Sequence, residues 1–268
     1  MASTKRILVV NDLHSGSHYG LMPEEAIIKD PMRGDDSVAT PNKLQDVLLK
    51  KWMAMRDTIG KVDMVLVNGD TCDGLQKKEF SSSLWTANLD SQVNAAAQLL
   101  KQIRTNRYVF TLGSGYHQGF QLSLDEMVSK ALRDKAEFHN HLLLELKDRD
   151  VRMHFAHYVG VSATTWQYRT TPLARDMVII HLNRALKSYG DVNWVIRGHA
   201  HYYVGTWYSS QTGFVAPAWQ AMGPFSVKKG LWTPPDLGYV LMNVETDGTV
   251  DLEDKVFTID NPVKVVGL

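Results

Sequence analysis

The chain has 268 residues, with 29 basic and 29 acidic side chains, so its formal net charge is zero and no overall attraction to nucleic acid or an anionic membrane is visible. Cys72 is the single cysteine, which excludes an internal disulfide and fits a reducing compartment. The apolar run 7–10 behind the basic start is too short for a signal peptide, and no stretch reaches the ~20 residues of a membrane span. These features lead to the expectation of a cytoplasmic protein without a membrane partner.

In chain order, Ile7-Leu8-Val9-Val10 reads as a buried parallel strand that ends at Asp12-Leu13-His14. Residues 18–41 show no periodicity and carry Gly20, Pro23, Pro31, Gly34 and Pro41, the profile of a functional loop. Leu44, Val47, Leu48, Trp52, Met55 and Ile59 share one helical face, and Gly60 is placed to stop that helix. Met64-Val65-Leu66-Val67 is a second buried strand, which delivers Asn68-Gly69-Asp70 at the edge where α/β sheets place their ligands. A polar loop over 74–87 leads to an amphipathic helix marked by Leu89, Val93, Ala96, Ala97, Leu100 and Ile103.

Residues 108–112 form a third strand running into Gly113-Ser114-Gly115-Tyr116-His117, with a helix expected over 122–133. A strand over 151–156 hands over to His157, and Thr171-Pro172 opens a helix to about residue 189, with Gly190 as its stop. The strand 193–197 ends at Gly198-His199-Ala200-His201, and beyond it come strands alone, over 202–208, 214–220, 238–244 and 250–259. Strand–helix alternation followed by strands predicts a mixed sheet or two sheets packed face to face with helices outside. No repeat or linker interrupts the chain, so a single domain over 1–268 is expected.

Five strand ends thus carry acid or imidazole. Asp12, His14, Asp70, His157, His199 and His201 make a nitrogen and oxygen donor set that suits first-row divalent metals, and its lack of sulfur argues against a closed structural zinc site. A central carboxylate, Asp70, can bridge two ions. Each block is weak alone. His139, His141, His154 and His181 read as hydrogen-bonded core residues, because buried polar groups keep partners. His18 is balanced between a substrate rim and solvent, and Cys72 reads as a small packed residue beside the site.

In order and placement these blocks resemble the calcineurin-like metallophosphoesterases, whose pattern is Asp-x-His, Gly-Asp with a further acid, Gly-Asn-His, a lone His, and Gly-His-x-His. Four blocks match between residues 6 and 205: Asp12-Leu13-His14, Gly69-Asp70 with Asp73, His157, and Gly198-His199-Ala200-His201. The third departs, since Gly113-Ser114-Gly115-Tyr116-His117 has no asparagine and sets its histidine two residues later. The loop style looks like that of phage and prokaryotic members.

The resemblance implies an α/β fold of two sheets in a sandwich flanked by helices, the four-layer αββα arrangement. It also implies two divalent ions, manganese first, with iron, zinc or nickel as alternatives. Asp12, His14, Asp70 and His201 would hold one ion, and Asp70, His157 and His199 the other. A hydroxide between the ions would then attack a phosphodiester, of nucleic acid or of a nucleotide. A phosphomonoesterase or protein phosphatase is the alternative of the same class, and a metal-binding scaffold without catalysis the alternative of another. His117 would be the general acid or a ligand replacing the missing asparagine, and Asp73 would orient a ligand. Arg169 and Arg197 are candidate phosphate binders, set aside because such arginines are more often surface. The aromatic segment 217–236, with Trp219, Phe225 and Trp232, is a candidate interface between copies of the chain, weighed against a loop packed on its own sheet.

Overall fold

Short apolar runs form the centre of the molecule. The computed structural model describes residues 3–29, 34–76, 80–118, 122–161, 165–185, 190–208, 210–228 and 233–259. In chain order the first strands are β1 (Lys5–Val10), β2 (Ala26–Ile28), β3 (Ser37–Ala39), β4 (Met64–Val67), β5 (Tyr108–Thr111) and β6 (Ala136–His139). They are followed by β7 (Leu142–Leu146), β8 (Val151–Phe155), β9 (Trp194–Arg197), β10 (Val204–Tyr208), β11 (Gln211–Val215), β12 (Leu237–Val244) and β13 (Val250–Phe257). The helices are α1 (Lys43–Ile59), α2 (Leu89–Lys101), α3 (Leu124–Ala131), α4 (Thr171–Ala185) and the short α5 (Pro224–Lys228).

A six-stranded sheet has the order β13-β12-β1-β4-β5-β6, and a five-stranded sheet the order β10-β11-β9-β8-β7. β1, β4, β5 and β6 run parallel, as do β8, β9 and β11. Alternation along each strand sorts its side chains to two faces. Ile7, Val9, Leu66 and Val109 of the first sheet meet Met153, Phe155, Ile196 and Phe214 of the second in one buried cluster between them. Leu8, Val10, Val65 and Val67 turn the other way, onto Leu48, Trp52, Val93, Leu100 and Val128 of α1, α2 and α3. Leu173, Met177 and Ile180 of α4 cover Val195 and Val215 on the outside of the second sheet. The layers are therefore α, β, β, α, as expected.

Local signals account for the ends of α1. The Asn42 side chain accepts from the Leu44 and Gln45 N–H groups while Gln45 reaches back to the Asn42 N–H, a reciprocal cap. Gly60, at φ +65°, ends the helix.

Several expectations change, among them the strand expected over 214–220, which runs instead over Gln211–Val215. The loop 18–41 contains the hairpin β2–β3, whose three-residue strands are too short to leave a periodic trace and expose Ile27 and Val38. Residues 134–150, where no element was expected, supply β6 and β7, short half-buried strands at the edges of the two sheets. The predicted helix over 122–133 shortens to Leu124–Ala131, with Ser123 as its cap, and α4 is described to Ala185, residues 186–189 lying outside the described set. Of the four histidines read as core, only His154 is buried; His139 and His181 are half-buried and His141 is exposed. No helix among the described residues is long and apolar enough to cross a membrane.

Candidate metal centre

The site begins with backbone pairing that continues past the strand ends. Asp12 N–H donates to Gly69 O, His14 N–H to Asp70 O and Ser15 N–H to Thr71 O, at 3.0 to 3.1 Å, so the turns after β1 and β4 run side by side. Leu13 is fully buried between Asp12 and His14, which leaves those two on the site side of the turn. His157 follows β8 and packs against the Gly69 backbone. A Cβ at Gly69 would fall 2.6 Å from its Cγ, and Gly69 adopts φ +84°, so glycine is required there twice over. His199 N–H, after β9, donates to Asp12 Oδ2 at 3.0 Å, joining chain positions 187 residues apart.

Asp12, His14, Asp70, His199 and His201 all adopt left-handed backbone, φ between 47° and 69°. Each such residue costs about 1–3 kcal/mol. Five of them together are comparable with the net stability of a typical domain, about 5–15 kcal/mol. Strain on that scale persists only where packing over-determines it, and concentrated on strand ends it marks a site built to aim side chains.

The six residues read from the sequence converge. Asp12, His14 and His201 form one group whose ligand atoms all lie within 4.8 Å of one another, and Asp70, His157 and His199 form another. A third group, His14, Asp70 and His117, links them. His201 Nε2 lies 3.2 Å from Asp12 Oδ1, and His157 Nε2 lies 2.9 Å from Asp70 Oδ2 without hydrogen-bond geometry. Asp12 Oδ1, His14 Nε2 and His157 Nε2 are buried with no hydrogen-bond partner. Buried polar atoms rarely lack partners. Carboxylate and imidazole donor atoms drawn together without partners fit a divalent cation, once the imidazoles give up their protons.

No family model matches the sequence, and no curated protein matches it. Among solved structures the chain is similar to an archaeal phosphodiesterase at 13 % identity and TM-score 0.46, over 94 % of this chain and 99 % of that one. It is also similar to Vps29 of Cryptosporidium parvum, at 12 % identity and TM-score 0.43, over 96 % and 100 % of the two chains. A third is Vps29 of Entamoeba histolytica complexed with Zn2+, at 16 % identity and TM-score 0.39, over 94 % and 98 %. The two sheets packed face to face with helices on both outer faces are the arrangement that the sequence pattern led us to expect.

Asp73 stands behind two of these imidazoles. Its Oδ1 lies 2.8 Å from His14 Nδ1 and 3.0 Å from His117 Nδ1, holding both rings by the same nitrogen. The His14 and His117 rings meet edge to face at 4.4 Å. Three residues that sequence reasoning passed over complete the frame. Ser114, where the family pattern has asparagine, donates its N–H to Asp70 Oδ1 at 2.7 Å and its hydroxyl to Asp70 Oδ2 at 2.9 Å. Asp125, fully buried, accepts from Thr71 and from the Gly113 N–H, tying the Asp70 turn to the 113–117 loop. Asn11 donates to Asp12 Oδ2. Only Asn11 had a visible signal, its place directly before Asp-x-His.

The other sequence candidates lie elsewhere. His18 is exposed, and Cys72 is a packed thiol whose burial pushes its pKa up. Arg197 is buried and committed to Asp176, 2.8 Å away, and its charge together with burial lowers His154 to about 3. Arg169 is not on the surface but 9 % exposed, in the wall of the cavity beside the centre. In the segment 217–236, Trp219 is a core residue against Trp52, and Gln220, Ala221 and Pro235 line that same cavity; Trp232 lies outside the described residues.

Burial pushes the carboxyls of Asp12, Asp70 and Asp73 up, but the facing imidazoles outweigh it and hold all three well below the usual carboxylate range. Burial lowers His14 and His157, yet Asp12 and Asp73 raise His14 to about 10, and Asp70 and Asp12 raise His157 to about 9. His199 is held down at about 4 by burial and by His157. In the metal-free protein near neutral pH, two protons therefore sit where cations would go, and ligation must displace them. Cation binding is expected to release about two protons per chain. Apparent affinity then rises with pH through neutrality and levels off near the His157 and His14 values, about 9 and about 10. Calorimetry in two buffers of different ionisation enthalpy counts the protons; a count near zero contradicts this assignment.

Proposed function

We propose that the chain is a divalent-metal-dependent phosphodiesterase. The convergence of buried, unpartnered carboxylate and imidazole atoms from strand ends carries this reading. Asp12, His14 and His201 would hold one cation and Asp70, His157 and His199 the other, with Asp70 shared. Held there, divalent cations supply Lewis-acid polarisation of phosphoryl oxygens and a water acidic enough to attack at neutral pH.

The chain itself supplies orientation and a proton. Asp73 fixes His14 by Nδ1 and so presents Nε2 to the cation. It fixes His117 in the same way, with the Asp73 carbonyl 2.9 Å from His117 Nδ1 as a second contact, which leaves Nε2 to give a proton to the leaving alkoxide. Two cavities meet at His117. One of about 230 Å3 is lined by Asp70, His199, His201 and Arg169, and one of about 90 Å3 by Ser17, Tyr19, Asp73 and Tyr116. Room on both sides of the proton donor suits a phosphorus centre with two substituents, which favours a diester over a monoester.

The test is elemental analysis after reconstitution with manganese, followed by rates with bis-aryl phosphate and aryl monophosphate. About two ions per chain and faster cleavage of the diester are expected. Equal or inverted preference turns the reading to a phosphomonoesterase. Absence of metal removes the dinuclear reading, and metal bound without turnover supports a non-catalytic scaffold.

A further inference from the structure

Among the arginines that the fold draws inward, Arg169 stands apart. Arg197 is bonded to Asp176, Arg152 to Glu145, and Arg149 to the carbonyls of Val244 and Ser3. The Arg169 guanidinium has no carboxylate or hydrogen-bond partner among the described residues, although only 9 % of the residue is exposed. Its backbone is held at both ends: its N–H donates to Trp166 O at 3.2 Å, and its carbonyl accepts from the Tyr202 hydroxyl at 3.2 Å. The guanidinium lies between two aromatic faces, 4.5 Å from the Trp166 ring and 4.8 Å from that of Tyr202. Stacking of this kind holds the planar cation in place while leaving its N–H edge unspent.

A buried charge without a counterion is costly, and proteins retain one where something else supplies the partner. Arg169 lines the 230 Å3 cavity together with Asp70, His117, His199 and His201. An arginine fork offers two parallel N–H groups and matches a phosphate in bidentate fashion. At the cleaved phosphoryl group, cations held by Asp12, His14, Asp70, His157, His199 and His201 would meet its charge. The cavity is larger than one phosphoryl group, so it takes a substituent as well.

We propose that Arg169 anchors a second, uncleaved phosphate on that substituent, so the preferred substrate is a diester that carries a further phosphate, as a nucleotide chain does. This rests on the phosphodiesterase reading for the cleaved bond, but the anchor itself is a binding site.

The experiment pairs thymidine 5′-(p-nitrophenyl phosphate) with the same compound bearing a 3′-phosphate, and, for binding, thymidine 5′-monophosphate with thymidine 3′,5′-bisphosphate. In the manganese-loaded protein the extra phosphate is expected to raise kcat/KM, mainly through KM, and to tighten binding, each by at least ~10-fold, the range of a bidentate charged pair. Arg169→Gln should bring both ratios close to one, and Arg169→Lys, which keeps the charge without the fork, should fall between. Thermal melts establish that each variant is folded, and the lysine variant carries the test where the glutamine variant is not.

If the variants slow both substrates alike and keep the ratio, Arg169 serves the cleaved phosphoryl group and the proposal is overturned. A wild-type ratio near one overturns it as well. If neither compound is hydrolysed but the Arg169-dependent binding preference stands, the phosphodiesterase reading falls and the anchor remains. Hydrolysis without the preference removes the anchor and leaves the phosphodiesterase reading standing.

Discussion

Asp70→Asn is expected to empty both halves of the metal centre while leaving the fold in place. The amide keeps the shape of the carboxylate and still accepts from the Ser114 N–H, which lies 2.7 Å from Asp70 Oδ1, so the turn after β4 has reason to hold. The variant loses the negative charge placed with His157 and His199 on one side and with His14 and His117 on the other. The expected fall in cation affinity exceeds ~10²-fold, the upper end for residues that merely orient a ligand. A second change goes with it. His157 stands at about 9 because Asp70 and Asp12 outweigh its burial, so removing the Asp70 charge lowers it, and fewer protons should leave on metal binding. Elemental analysis together with the proton count reads both effects. Loss of one ion with full retention of the other would contradict a shared role for Asp70.

His117→Asn separates two roles that the geometry allows. His117 belongs to the group with His14 and Asp70, yet its Nδ1 is taken up by Asp73 at 3.0 Å. For a general acid held by Asp73, the variant should keep its metal. It should then lose ~10²–10⁴-fold in rate with a poor alkoxide leaving group. Nitrophenolate departs without needing a proton, so its rate should fall far less. For a ligand, metal occupancy should fall and both substrates should suffer alike. The acid is the expected outcome, because Asp73 positions the His117 ring by Nδ1 independently of any ion.

The ligands were legible because they stand directly after buried strands. Four-residue runs such as Met64-Val65-Leu66-Val67 carry enough apolar side chains to be read locally, and the residues next in the chain must lie at a sheet edge. The edge strand β6, Ala136–His139, has no such run; β7 does have one in Leu142-Leu143-Leu144, and the sequence reading passed over it. The histidines separated only in three dimensions. His154, inside the strand expected over 151–156, is buried beside Arg197, whereas His141, where no element was expected, is exposed, and a single histidine has no period of its own to read.

By itself the sequence determined the residue types, their order and their positions at strand ends, which specify a mixed donor set on an α/β scaffold of one mixed sheet or two packed sheets. Those are properties of local burial, and local burial leaves a pattern along the chain. Only the tertiary structure decided the left-handed backbone at five of the candidate metal-binding residues, the grip of Asp73 on two rings, the bonds of Ser114 to Asp70, and the stacked Arg169. The physical reason is range. Asp12 and the N–H of His199 meet across 187 residues, and that contact depends on how two sheets pack, which no window of sequence contains.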